Sequence, residues 1–203
     1  RGAVGKGGNI EITTGNLAVT NTAKLAASTF GQGDAGRIEI TAAGNILFDG
    51  IENGLSSGAF STVEPGAVGK GGGIEIKTGN LAVTNAALLD ASTGGQGDAG
   101  SIKITATGNI LFDGRKDGFG SGAGNVVLPG GIGKGGNIEI TTGNLAVTNG
   151  AELTASTFGQ GDAGSIKITA AGNISFDGSI AFSTVERGAV GKGGNIEITT
   201  GNL

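Results

Sequence analysis

Hydrophobic and polar positions alternate along this chain in short runs of period two, and the runs return at regular intervals. The clearest run, NIEIT or SIKIT, sets two Ile on one side and a Glu or Lys between them on the other. Strict alternation of this kind predicts a half-buried β-strand. It closes the phrase G-[K/D]-[G/A]-G-x-I-[E/K]-I, which stands at 5–12, 33–40, 69–76, 97–104, 133–140, 161–168 and 191–198. A second run, G-N-[L/I]-x-[V/F], stands at 15–19, 44–48, 79–83, 108–112, 143–147 and 172–176. A weaker third run lies around Leu25, Leu89 and Leu153, and around Phe60 and Phe182. No stretch has helical periodicity.

The phrases are separated by 28, 36, 28, 36, 28 and 30 residues, so short and long turns alternate. The unit is therefore a pair of rungs: 5–68, 69–132, 133–190 and a partial copy at 191–203. Repeats of this length, each too small to bury its own apolar face, predict a solenoid whose rungs bury one another. Three strands per rung and the right-handed rule for parallel connections point to an all-β fold, a right-handed parallel β-helix of about 6.5 rungs. The Ile pairs should face inward and form two continuous columns, each fully buried aliphatic side chain contributing roughly 1.5–3 kcal/mol. Residues 1–17 recur identically at 187–203, so the chain reads as one 186-residue period plus an overlap. The expectation is a single solenoid segment, 1–203, internal to a much longer array.

Composition narrows the class. Gly is 45 of 203 residues, yet it follows no three-residue period, which excludes collagen. Ile, Leu, Val and Phe at fixed repeat positions argue against disorder. Net charge is −4, leaving no basic footprint for nucleic acid. No apolar run approaches the length of a membrane-spanning helix. Cys and His are absent, which removes disulfides, thiolate metal sites and His-dependent nucleophilic triads.

Stacking turns the repeats into ladders. The second position of the phrase alternates as Lys6, Asp34, Lys70, Asp98, Lys134, Asp162 and Lys192, a column of alternating charge whose value is register. The GQGDAG stretches superficially match calcium-binding nonapeptides. Their Asp residues sit at the wrong spacing, with a Lys on the rung between, so no metal is expected. GKGG lacks the helix that a phosphate-binding loop must open. The row Glu11, Glu39, Glu75, Lys103, Glu139, Lys167, Glu197 should form a solvated face, with Arg37 and Lys77 compensating where Glu39 meets Glu75. Beside it runs Thr13, Thr41, Lys77, Thr105, Thr141, Thr169, Thr199, a hydroxyl row too charged at its border for ice. Asn16, Asn45, Asn80, Asn109, Asn144, Asn173 and Asn202 each follow a Gly at a bend, and an internal asparagine ladder is expected there.

The long turns alone carry non-repeating sequence, at 51–58 and 115–123. Insertions on one face of a solenoid are where ligands bind. Arg115, Lys116, Asp117 and Phe119 are the candidate ligand-contact loop. No catalytic or cofactor-binding residue is expected, and no cofactor.

The stretch GKGGNIEITTGNLAVTNGAELTASTFGQGDAGSIKITAAGNISFDG at 133–178 resembles the central repeats of filamentous-haemagglutinin-like exoproteins, especially the cyanobacterial type. The resemblance covers essentially the whole chain and is carried by GQGDAGSIKI and GNLAVTN. It implies a β-helical exoprotein exported by an outer-membrane partner and displayed or released as a filament. Adhesion, aggregation and sheath or matrix formation are the functions implied. The reading is a structural shaft, not an enzyme. Its expected partners are itself and surface or matrix polysaccharide. An adhesin binding polysaccharide through the shaft, and a polysaccharide-cleaving β-helix, are the alternatives.

Overall fold

A computed structural model describes residues 2–201. These residues wind as a parallel β-solenoid of about six turns with three sheets, and none of them is helical. Sheet I holds the NIEIT and SIKIT runs: Ile10–Thr14, Ile38–Ala42, Ile74–Thr78, Ile102–Ala106, Ile138–Thr142, Ile166–Ala170 and Ile196–Thr200. Sheet II holds Leu17–Thr20, Asn45–Asp49, Asn80–Thr84, Asn109–Asp113, Asn144–Thr148 and Ile174–Asp177. Sheet III holds Lys24–Ala26, Gly58–Phe60, Leu88–Asp90, Gly122–Gly124, Glu152–Thr154 and Ile180–Phe182. We number the coils 1 to 7 from residues 5, 33, 69, 97, 133, 161 and 191. Each coil pairs only with its neighbours, so register is copied from one to the next.

Every sheet I pairing matches Ile with Ile, as in Ile38↔Ile74 and Ile40↔Ile76. From coil 2 to coil 6 these Ile are fully buried, whereas Ile196 and Ile198 of coil 7 are about half exposed because nothing among the described residues stacks on them. Sheet II adds Val19, Phe48, Val83, Phe112, Val147 and Phe176 in one column. Sheet III adds Leu25, Ala59, Leu89, Ala123, Leu153 and Ala181. Each short coil thus carries Val with Leu, and each long coil carries Phe with Ala. A large residue in one sheet is matched by a small one in the other, which keeps the interior filled at constant cross-section.

In the long coils the interior residues of sheet III are Ala59, Ala123 and Ala181, while Phe60 and Phe182 point outward and are half-buried.

The bends explain the glycines of the recurring phrase. At Gly97, φ is +139°, and a Cβ would lie 1.8 Å from the Gly69 carbonyl oxygen one coil below. The same overlap recurs at Gly33, Gly69, Gly133, Gly161 and Gly191. Only glycine lets consecutive corners approach this closely.

Candidate functional site

The two insertions are β-hairpins rather than open loops. Ile51–Glu52 pairs antiparallel with Leu55–Ser56, and Arg115–Lys116 with Phe119–Gly120. Their tips, Asn53-Gly54 and Asp117-Gly118, have φ of 51°, 74°, 52° and 86°. Two consecutive left-handed residues are the mark of the two-residue hairpin turn that Asn-Gly and Asp-Gly favour. The Ser57 N–H donates to Gly50 O at 2.8 Å and the Ser121 N–H to Gly114 O at 2.9 Å, closing the base of each hairpin. In coil 6 Gly178 and Ser179 make the same passage from sheet II to sheet III without a hairpin.

Both hairpins leave the rod between sheets II and III, one in coil 2 and one in coil 4. Along the first lies a groove of about 460 Å³ lined by Asn21, Asp49, Gly50, Ile51, Glu52, Asn85 and Lys116. It crosses coils 1 to 4, roughly 14 Å of the axis at the spacing of parallel strands. Its floor is held rigidly. Asp49 Oδ1 accepts from Thr84 Oγ1 at 2.5 Å and from Asn85 Nδ2 at 2.7 Å. The same arrangement recurs two coils on, with Asp113, Thr148 and Asn149. These bonds leave the Asn85 carbonyl, the second Asp49 oxygen, Glu52 and the Lys116 ammonium to meet a ligand. Such a surface suits a polar, hydroxyl-bearing chain.

The four candidate residues do not act together. Lys116 alone reaches the groove. Arg115 turns back on its own hairpin, donating through Nε and Nη2 to Gly118 O at 3.0 and 2.9 Å, and lies 4.0 Å from Glu152. Asp117 forms the tip, and the Phe119 ring is half exposed on the other strand. Sequence reasoning missed Asn21, Asp49, Glu52 and Asn85. The signal was present in Asn53-Gly54, which marks a hairpin and hence a wall.

The ladders differ in detail from their sequence reading. Of the Lys–Asp column, the described residues close one ion pair, Lys6 Nζ to Asp34 Oδ2 at 3.5 Å. The carboxylates of Asp34, Asp98 and Asp162 instead accept the main-chain N–H of Lys70, Lys134 and Lys192 at 3.0, 2.9 and 2.9 Å. That bond holds the Asp34 carboxyl below its ordinary pKa, although burial opposes it, and Lys6 adds to the lowering. The column is a row of corner fasteners as much as a row of charges.

The asparagine ladder is continuous but exposed, so the expectation of an internal one is corrected. Asn45 N–H donates to Asn16 Oδ1, Asn80 Nδ2 to Asn45 Oδ1, Asn109 N–H to Asn80 Oδ1, Asn144 Nδ2 to Asn109 Oδ1, and Asn173 N–H to Asn144 Oδ1. The ladder lies outside because the alternation of sheet II gives its inward positions to Leu or Ile and to Val or Phe. Asn202 lies outside the described residues.

On the outer face of sheet I, Arg37 bridges Glu39 and Glu75, and Lys77 Nζ lies 2.8 Å from Glu75. Lys103 and Lys167 pair with Glu139 and Glu197 at 3.7 and 3.4 Å. From coil 2 to coil 7 every carboxylate of this row has a cation beside it.

Fold and ladders together define the class: a repeat protein, a three-sheet parallel β-solenoid whose rungs carry their own register. No protein-family profile, characterised protein or solved structure matches the chain.

Proposed function

We propose that this chain is a stretch of the stiff shaft of a secreted or cell-surface filament that serves adhesion, aggregation or the formation of a sheath or matrix. The observation that carries the reading is the return of the sequence after 186 residues. Residues 191–203 have the sequence of 5–17 in coil 1, and the strand Ile196–Thr200 lies on coil 6 in the register used by every rung below. A fold in which each rung prescribes the next is suited to length, and it needs neither disulfides nor a cofactor to form outside a cell. The resemblance of 133–178 to filamentous-haemagglutinin-like repeats supports export through an outer-membrane partner. The test is antibody labelling of intact, unpermeabilised cells with electron microscopy. Label on surface threads or shed fibres is expected; label confined to lysed cells would overturn the reading.

A second reading, an adhesin for surface polysaccharide, is favoured by the groove beside the first hairpin. Glycan-array binding by the chain, lost in Lys116→Ala and kept in Arg115→Ala, would support it. Loss in neither would remove it.

A further inference from the structure

We propose that Asn53 is a site of spontaneous deamidation, a modification that the fold opens at the first hairpin and closes at Asn149. These are the two asparagines that a glycine follows; every other one precedes a residue with a side chain. The reaction is intramolecular. The Gly54 nitrogen, on losing its proton to water, attacks Asn53 Cγ. A C–N bond forms, the Cγ–Nδ2 bond breaks, and ammonia leaves. Water then opens the succinimide ring at either carbonyl, leaving a carboxylate in an ordinary or a β-linked backbone. A side chain on the attacking residue crowds this closure, and glycine has none.

The two sites form a controlled comparison, because their backbones are nearly the same. Asn53-Gly54 has φ of 51° and 74°, and Asn149-Gly150 of 53° and 81°. Their surroundings differ. Asn149 Nδ2, the leaving group, donates to Asp113 Oδ1 at 2.7 Å. The Gly150 N–H, on the attacking nitrogen, donates to Gly178 O at 2.8 Å. The second hairpin also covers this turn, and a Cβ at Gly150 would lie 3.2 Å from Arg115 Cβ. Among the described residues the Asn53 carboxamide and the Gly54 N–H have no hydrogen-bond partner. A Cβ at Gly54 would meet nothing within 4 Å. Asn149 must therefore surrender two bonds of ordinary strength before it reacts, a difference of about 30-fold in rate.

The product fits the hairpin in one of its two forms. Asp117-Gly118 occupies the same turn in the second hairpin, with φ of 52° and 86°, so an ordinary aspartyl linkage needs no change of backbone. The β-linked form adds a methylene to a two-residue turn and works against the pairing of Glu52 with Leu55. Either form sets a second carboxylate beside Glu52, which lines the groove.

The test is to incubate the full chain in mildly alkaline buffer made with heavy-oxygen water and to map its peptides by tandem mass spectrometry. Label should accumulate at position 53 about 30-fold faster than at position 149. Equal rates, or faster labelling at 149, would overturn the proposal. The same incubation in enough urea to unfold the chain should bring the two rates together. A difference that survives unfolding would also overturn it, since local sequence and not the fold would then be the cause.

Discussion

Thr93 and Val63 hold the same position on adjacent coils, bridged main chain to main chain, and both are buried to within 1% exposure. The column continues through Val127, Thr157 and Val185, so hydroxyl and methyl alternate along the rod. Among the described residues the Thr93 and Thr157 hydroxyls have no hydrogen-bond partner. A buried, unpaired hydroxyl costs about 1–3 kcal/mol, and the neighbouring coils show that valine fits the position. Thr93→Val and Thr157→Val should each raise stability by about 1 kcal/mol. The check is a shift of the urea midpoint to higher concentration at unchanged slope. A fall in midpoint would mean that the hydroxyls are satisfied.

The turn between sheets II and III of the short coils offers a natural experiment. It reads Asn21-Thr22, Asn85-Ala86 and Asn149-Gly150, and the second residue has φ of 65°, 65° and 81°. A side chain at left-handed φ costs about 1–2 kcal/mol, which glycine avoids at an entropic cost of about 0.5–1. Thr22→Gly should therefore stabilise the chain by about 0.5–1 kcal/mol. Its main-chain N–H would keep the 2.9 Å bond to Ser57 Oγ. Ala86→Gly should gain less, because Ala86 is fully buried and loses a packed methyl group. Thermal unfolding of the two variants in parallel would separate these terms, and destabilisation by Thr22→Gly would refute the strain.

Gly108 marks where the asparagine ladder constrains its own corner. A Cβ there would stand 2.3 Å from Asn80 Oδ1 and 3.0 Å from Gly79 O. Gly108→Ala should push the Asn80 carboxamide out of the ladder. That breaks its bonds to the Asn109 N–H at 2.8 Å and to Asn45 Oδ1 at 3.0 Å, a loss of about 2 kcal/mol at about 1 per bond. Asn80→Ala alone removes the same two bonds. The double variant should therefore be little worse than either single one, and a double-mutant cycle by chemical denaturation measures that shared energy. Strict additivity would place the clash elsewhere.

Much of this architecture was legible because repeated alternation specifies which side of each strand faces in. The Ile10–Ile12 pair and its six successors give both the strand and its register, since each Ile pairs with another Ile. What escaped the sequence was structure imposed by neighbours. Gly122–Gly124 has no intrinsic strand character, yet it lies between Leu88–Asp90 and Glu152–Thr154 and is held extended by both. The same effect hid Ala59, which a reader passes over for Phe60. The groove was unreadable for a different reason. Asp49, Asn85 and Lys116 belong to three different coils, and only the register brings them together. The hairpins were readable in principle from Asn53-Gly54 and Asp117-Gly118, but two-residue strands leave no alternation to find.

Asp90 and Glu75 give the rod two opposed responses to pH. Asp90 lies on the outer side of sheet III between Phe60 and Gly124, with Lys24 over the Phe60 ring. Burial pushes its carboxyl above the ordinary Asp value and Glu64 adds repulsion, while the Ser92 hydroxyl and N–H pull the other way. The folded chain then holds this proton more tightly than the unfolded one. The group's contribution to stability is complete below the ordinary Asp pKa and is lost as pH rises through the raised value. Glu75 has the opposite sign. The Lys77 hydrogen bond lowers its pKa despite burial, with the Lys77 and Arg37 charges adding to it. Its contribution is present above the ordinary Glu value and is lost as pH falls through the lowered one. Asp90→Asn keeps an acceptor for the Ser92 N–H and removes the charge. The variant should be more stable than the parent near neutral pH, with an advantage that shrinks steadily as the medium is acidified toward the ordinary Asp pKa. Urea unfolding of both chains across that range measures the difference directly. A constant offset would show that Asp90 has the same pKa folded and unfolded, and a larger advantage in acid would reverse the sign of its environment.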